Sequence, residues 1–390
     1  MKILVLGAKG FVGKNLVCAL ENIKSGKDKR FPEMIIDEIM SYDIDSPEGT
    51  LPTYLSEADF IFNFAGVNRP KDNAEFMAGN CDFLGEVLAC LKDCGNNCPI
   101  VLSSSIQASL KGRFADSPYG LSKKAGEDEL IKYSEDTSAK VMIYRFPNIF
   151  GKWARPNYNS AVATFCHNIA NDLPITVNDK NTELELLYID DLVEEMLCCL
   201  MGEEHRDGKY SRYCSVPVTH KVTLGEIVRL LESFKAFPET LMMPSIEKNS
   251  FAYKLYSTYL SYLSTEKAIH AYDTKSDSRG SFSEIMKSID KGQFSVNVSL
   301  PGEIKGNHWH HSKWEIFLVV SGKALIKMRK IGSEDIAEYY VSGDKLQGVY
   351  MLPGYTHSIE NLSDSENLVT LMWANETFDP NKPDTYFEEV

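Results

Sequence analysis

Residues 302–322 read GEIKGNHWHHSKWEIFLVVSG, and between the bounding glycines stand His308, His310 and Glu315. Side chains of an extended strand alternate between faces, so His308 and His310 share one side while Trp309 turns to the other. A four-residue turn, 311–314, then brings Glu315 back toward that side at the head of the apolar strand 316–320. Two imidazoles and a carboxylate are a donor set for a borderline divalent ion, with positions left open for chemistry. Downstream, Pro353-Gly354-Tyr355-Thr356-His357 is a turn followed by a fourth candidate, His357, with Asn361 beyond it. From Tyr272 onward the chain reads as short alternating strands with glycine turns, as an all-β domain requires.

The spacing Gly302, His308, His310, Glu315, Gly322 resembles the first signature of the cupin superfamily, and Pro353, Gly354, His357 and Asn361 resemble the second, one residue shorter. The resemblance implies a small β-barrel with His308, His310, Glu315 and His357 as ligands of a divalent metal, Zn2+ by donor type. Residues 277–284, Asp-Ser-Arg-Gly-Ser-Phe-Ser-Glu, resemble the opening of the deoxysugar 3,5-epimerases, cupins that act on nucleotide 4-keto-sugars.

The opposite end of the chain has another texture. Residues 1–7, MKILVLG, form a buried strand entering a glycine turn, Gly7-Ala8-Lys9-Gly10-Phe11-Val12-Gly13, that runs into a helical pattern over 14–23. Glycines there let the backbone turn tightly and approach a pyrophosphate at the helix N-terminus. The turn with Phe11 and Val12 is therefore a dinucleotide site. A second strand near 38–42 ends at Asp43, placed to bond ribose hydroxyls and to repel a 2'-phosphate, whereas Lys9 would attract one; NAD(H) and NADP(H) both stay open. The strand 59–64 ends at Ala65 and Gly66, completing the cofactor turn. Strands alternating with helices imply a parallel sheet whose ligands lie beyond the carboxyl ends of the strands.

The strand 100–105 ends in three serines, placing Ser105 near a nicotinamide, with Ser104 as the alternative one position earlier. Tyr119 and Lys123 stand one turn apart at the start of a helix over 120–133. A tyrosine has a pKa of about 10 and exchanges protons poorly at neutral pH unless a cation supports its phenolate. Lys123 supplies that cation, Ser105 hydrogen-bonds a substrate carbonyl, and Tyr119 delivers the proton. After the strand 141–146, Asn148, Arg155 and Asn157 lie in a stretch rich in donors, with Arg155 suited to a diphosphate. These residues resemble the extended branch of the short-chain dehydrogenase/reductases, which acts on nucleotide sugars. The resemblance carries Ser105, Tyr119 and Lys123 as the catalytic set.

The expected organisation is thus α/β: a Rossmann-like reductase domain at 1–243, a linker and helical segment at 244–271, and a metal-binding cupin domain at 272–390. Thr223 should cap a helix ending near Phe234, with Pro238 and Pro244 breaking the chain beyond it. An aromatic helix over 251–260 packs within the core or between domains. With 390 residues, 43% hydrophobic and a net charge of -14, the chain has room for two or three cores and little attraction for nucleic acid or anionic membrane. No apolar run approaches a membrane span. The opening strand leaves no room for a signal peptide, and nine cysteines fit reduced thiols, so a cytoplasmic protein is expected.

Taken together, the reductase-then-cupin order, with Ala65-Gly66-Val67-Asn68-Arg69-Pro70 and Gly306-Asn307-His308-Trp309-His310-His311, resembles the CapF type of bifunctional capsular polysaccharide enzyme. That family implies a UDP-2-acetamido-2,6-dideoxy-4-hexulose substrate, epimerised at C3 by the cupin and reduced at C4 with NAD(P)H, in a homodimer. A C4 ketone acidifies the C3 proton, so epimerisation must precede reduction. His311 and Tyr355 are candidates for its base. The alternative is a nucleotide-sugar epimerase or dehydratase that keeps NAD tightly bound, its cupin serving only to bind or dimerise.

Overall fold

The computed structural model describes residues 1–208 and 211–390. It divides into two compact units: Met1–Leu231 with Asn249–Leu263, and Glu232–Lys248 with Ser264–Val390. Residues 244–271 are thereby shared between the units, their helical part packing with the first.

Unit 1 is built on a parallel sheet ordered β2-β1-β3-β4-β5-β8, formed by β1 Lys2–Leu6, β2 Glu38–Tyr42, β3 Phe60–Asn63, β4 Ile100–Ser105, β5 Val141–Phe146 and β8 Tyr213–Cys214. A smaller sheet joins β6 Asn148–Phe150, β7 Glu183–Tyr188 and β9 His220–Thr223. Both faces of the main sheet are covered, so its central strands β1 and β3 are almost wholly apolar and buried rather than alternating. Ile3, Val5, Phe60 and Phe62 pack on one side with Leu16 and Leu20 of α1 Phe11–Lys24. Leu4, Leu6 and Ile61 pack on the other with Leu84 and Leu88.

The intervening helices are α2 Thr50–Glu57, α3 Ala74–Met77, α4 Phe83–Cys94, α5 Pro118–Thr137, α6 Ala161–Ala170, α7 Ile189–Met201, α8 Leu224–Thr240 and α9 Phe251–Leu260. The helix after Gly66 is interrupted by a π-type turn at Ala78–Asp82. α8 passes the expected stop at Phe234 and runs through Pro238, ending two residues later. Pro238 has no N–H to give the Phe234 carbonyl, so one i→i−4 bond of the last turn is lost and the helix ends shortly after. Thr223 Oγ1 accepts the Glu226 N–H at 3.2 Å, as a cap should. No helix of the described residues is long and apolar enough to cross a membrane.

Unit 2 is all-β. One antiparallel sheet orders β10 Thr274–Asp277, β11 Gly280–Ser288, β12 Gly292–Ser299, β19 Leu368–Ala374, β14 Glu315–Ser321 and β17 Gly348–Met351. The second orders β16 Ile336–Ser342, β15 Lys323–Lys330, β18 Tyr355–Asn361, β13 Ile304–Trp309 and β20 Tyr386–Phe387. Phe317, Val319 and Met351 of the first sheet pack on Ile326, Met328 and Ile359 of the second, giving a core between the sheets.

Candidate active site and candidate metal centre

The glycine turn follows β1 because only glycine fits there. Gly7 lies at φ 77°, and a Cβ on it would meet the backbone of Ala65 at 2.8 Å; one on Gly13 would meet the Gly7 carbonyl at 2.2 Å. Among the described residues no side chain caps α1, so its first N–H groups face the turn with their partial positive charge unspent. Gly7, Lys9, Gly10, Phe11, Val12, Gly13 and Gly66 line a cavity of about 650 Å³ that also reaches the ends of β4 and β5. These backbone donors and the space over them fit a dinucleotide.

Asp43, Ala65 and Asn157 stand outside that lining. The Asp43 carboxylate accepts the Lys9 N–H at 2.8 Å and the Ile44 N–H at 2.9 Å, and so braces the turn from behind. The Lys9 ammonium pairs instead with Asp45 at 2.5 Å on the surface. The Ala65 N–H is held by Asn63 Oδ1. Asn157, expected to meet substrate, is exposed with left-handed backbone at φ 54°, and its N–H goes to Thr164 Oγ1, while Arg155, Tyr158 and Asn159 line the cavity. Asn148 and Arg155 do line it, the Arg155 guanidinium lying 5.2 Å from the Tyr158 ring centre. Arg113, not singled out from the sequence, is a further cation on the wall.

Ser105, Tyr119 and Lys123 converge on this cavity. Ser117 caps α5 through the Gly120 N–H at 3.0 Å, with Pro118 in the first turn, and this sets Tyr119 at the helix start. Burial pushes the Tyr119 phenol up to about 12, against a hydrogen bond with Ser105 that lowers it. Lys123 is fully enclosed; burial brings its ammonium down to about 8, opposed by the Glu127 carboxylate. Its Nζ donates to the Ser103 carbonyl at 3.0 Å and lies 5.9 Å from the Tyr119 ring centre. The phenol in this site holds its proton more firmly than a free tyrosine, because burial disfavours the phenolate.

Ser104 also lines the cavity, but its hydroxyl is engaged. Its hydroxyl donates to Glu127 at 2.5 Å, and the same buried carboxylate accepts from Arg145 at 2.8 and 2.6 Å and from Tyr213 at 3.0 Å. Glu127 was missed in the sequence, although it sits one turn beyond Lys123 on the same helix face.

In unit 2, β13 and β18 pair so that His308 and His357 stand opposite each other, ring centres 4.6 Å apart, and His310 lies 5.0 Å from His308. The four candidate donors, His308, His310, Glu315 and His357, offer atoms within 4.8 Å of one another. His310 Nε2, Glu315 Oε2 and both ring nitrogens of His357 are buried without a hydrogen-bond partner among the described residues. The imidazole nitrogens lie 3.7 and 3.6 Å from Glu315 Oε2, too far for hydrogen bonds. Buried polar atoms are rarely left unpaired, and neutral imidazoles facing a carboxylate at this spacing suit a divalent ion.

Burial takes His308 down to about 4, leaving it neutral. At Glu315 burial works upward, but the two imidazoles and Lys313, 2.8 Å away, hold the carboxyl well below its usual range. A segment no motif announced completes the centre. The Asp384 carbonyl takes His310 Nδ1, and the Asp384 carboxylate accepts the N–H groups of His311, Ser312 and Lys313 at 2.8, 2.8 and 2.9 Å. This fixes the turn between His310 and Glu315 and leaves His310 Nε2 for the ion. His311 is exposed, set edge-to-face against Trp309 and Tyr386, and Tyr355 packs on the apolar core.

A family model described as "NAD dependent epimerase/dehydratase family" matches residues 3–211, and one described as "Polysaccharide biosynthesis C-terminal domain" matches residues 275–386. The chain belongs to the NAD dependent epimerase/dehydratase family. Over its whole length it is similar to CapF, the capsular polysaccharide assembling protein of Staphylococcus aureus, with 48% identity, a TM-score of 0.89 and complete coverage of both chains. The UDP-2-acetamido-2,6-beta-L-arabino-hexul-4-ose reductase of Pseudomonas aeruginosa is 40% identical over 388 residues, 99% of this chain and 98% of that protein. The UDP-glucuronic acid 4-epimerase of Bacillus cereus, solved with NAD, shares the fold alone: 18% identity, TM-score 0.52, covering 67% of this chain and 98% of that one.

Proposed function

We propose that the chain is a bifunctional nucleotide-sugar enzyme. Its all-β unit, a cupin, epimerises C3 of a UDP-2-acetamido-2,6-dideoxy-4-hexulose, and its α/β unit reduces the C4 ketone to UDP-N-acetyl-6-deoxy-L-talosamine for capsular polysaccharide or O-antigen synthesis in the cytoplasm. The observation that carries the reductase half is the convergence of Ser105, Tyr119 and a buried Lys123 on the end of the dinucleotide cavity.

A reduced nicotinamide supplies hydride to the C4 carbon. Ser105 orients the carbonyl, and Tyr119 gives its proton to the oxygen as charge develops there. An alkoxide is far more basic than a phenol, so a raised phenol pKa still favours this direction. Lys123 then faces the phenolate that is left. Asp43 is already engaged by the turn, and the Lys9 ammonium is held only by an exposed ion pair, worth little. That arrangement favours NADPH, with Lys9 meeting the 2'-phosphate.

In the second site His308, His310, Glu315 and His357 hold a divalent ion, Zn2+ by donor type, which supplies Lewis acidity toward a carbonyl oxygen. The experiment is incubation of the full chain with UDP-2-acetamido-2,6-dideoxy-4-hexulose and NADPH in heavy water, with products resolved by NMR. Stoichiometric NADPH oxidation with deuterium at C3 is expected. Tyr119→Phe should lower reduction at least a hundredfold while exchange at C3 continues. Turnover without net NADPH oxidation would instead mark an enzyme that recycles bound NAD.

A further inference from the structure

Beside the histidine cluster, unit 2 holds a cavity of about 290 Å³ with His308 on its wall and Phe317, Ile359 and Met372 among its apolar lining. Lys305 lines the same space. The two residues are three apart on β13, a spacing that would set them on opposite faces of a regular strand. A bulge reverses this. The register shifts between Gly306 and His308, and Gly306 and Asn307 both take left-handed backbone, at φ 100° and 58°. The extra residue brings Lys305 round to the side of His308. A Cβ at position 306 would meet the His357 carbonyl at 2.7 Å, so glycine is needed for the bulge to lie against β18.

Lys305 Nζ donates to Asn297 Oδ1 and to the Val298 carbonyl, each at 2.9 Å. Two of the directions on this tetrahedral nitrogen are therefore taken by acceptors of the protein. In the neutral form of the amine both hydrogens would go to these acceptors and the lone pair would be left over. Burial lowers the pKa of this lysine, and Arg279 adds to that while Asp277 and Glu303 oppose it. On the opposite side, Lys275, Ser276, Asp277 and Arg279 are exposed and open the cavity to water.

We propose that Lys305 is the base that removes the C3 proton of the 4-keto-sugar. This rests on the epimerase reading above and adds to it the residue that performs the step. Neutral Nζ takes the proton and becomes an ammonium. The C3–H electron pair moves into the C3–C4 bond, and the carbonyl π pair moves to oxygen, giving the enolate. Water in the cavity returns a proton to C3 from the opposite face, and the ammonium neutralises the hydroxide left behind. No electrons are transferred, and the lysine ends as it began.

The test uses the full-length Zn2+-loaded protein and UDP-2-acetamido-2,6-dideoxy-4-hexulose in heavy water without NADPH, following C3 exchange by NMR. Lys305→Met and Lys305→Arg should each slow exchange about a hundredfold, the scale of a positioned general base. Bound zinc, measured by elemental analysis, should stay at the wild-type ratio in Lys305→Arg, which keeps the chain's reach and donors for Asn297. Arginine cannot accept a proton near neutral pH. Exchange by Lys305→Arg within tenfold of wild type therefore overturns the base role while leaving epimerisation standing. A wild-type protein that shows no exchange overturns the epimerase reading itself, and the role of Lys305 with it.

Discussion

Tyr119 sits where burial raises its phenol to about 12, and a phenol that keeps its proton is the state a ketone reduction draws on. Lys123 matters after the transfer, when a phenolate has to be tolerated in a dry pocket. Its ammonium titrates near 8, and the groups facing it are the Tyr119 ring, the Ser103 carbonyl and the Glu127 carboxylate. The cation is present below that pH and lost above it. We therefore expect kcat/KM for C4 reduction to fall as pH rises through about 8 in a rate profile at saturating NADPH. Glu127→Gln removes the charge that holds this pKa up, so the falling limb should move to lower pH. An unmoved limb would show that the lysine does not set it.

The element that depends most on local geometry is the turn between β1 and α1. Gly13→Ala drives a methyl group to within 2.2 Å of the Gly7 carbonyl, a backbone atom that cannot swing away. NADPH titration by fluorescence should show at least a tenfold weaker complex, with C3 exchange in the other unit unchanged. On α5, Glu127 ties the helix to β5 through Arg145 with an uncompensated charge on either side if one partner is lost. Glu127→Ala should destabilise unit 1 by about 3 kcal/mol in urea denaturation, the cost of leaving a largely buried arginine unpaired. The strands and the glycine turn were legible because a buried parallel sheet needs continuous apolar runs. The end of α8 was not legible, because a proline reads as a stop, whereas here the helix runs through it for two more residues at the cost of one i→i−4 bond.

Across the whole molecule, two units with separate cores carry two separate chemistries. His310→Ala should bind less than a tenth of the wild-type zinc and stop C3 exchange, yet still oxidise NADPH when given a substrate already epimerised at C3. Removal of the ion by a chelator should lower the unfolding temperature of unit 2 and leave that of unit 1 in place, since binding stabilises only the unit that holds the ligand. A single shift shared by both transitions in calorimetry would refute that independence.

The amino-acid sequence by itself determined the α/β and all-β halves and the glycine turn, and it put Tyr119 with Lys123 and His308 with His310 on shared faces, because each rests on spacing along a strand or a helix. Tertiary structure decided what periodicity cannot carry. It brought both Ser104 and Ser105 to the cavity but engaged the Ser104 hydroxyl with a carboxylate 23 residues away. It left Asn157 exposed on left-handed backbone, and it brought Asp384 some 70 residues back to clamp the turn after His310. It also put Lys305 beside His308, where alternation alone would have set them apart. Contacts of that kind depend on a bulge, a cap or a returning chain end, and their partners share no spacing that a reading along the chain can detect.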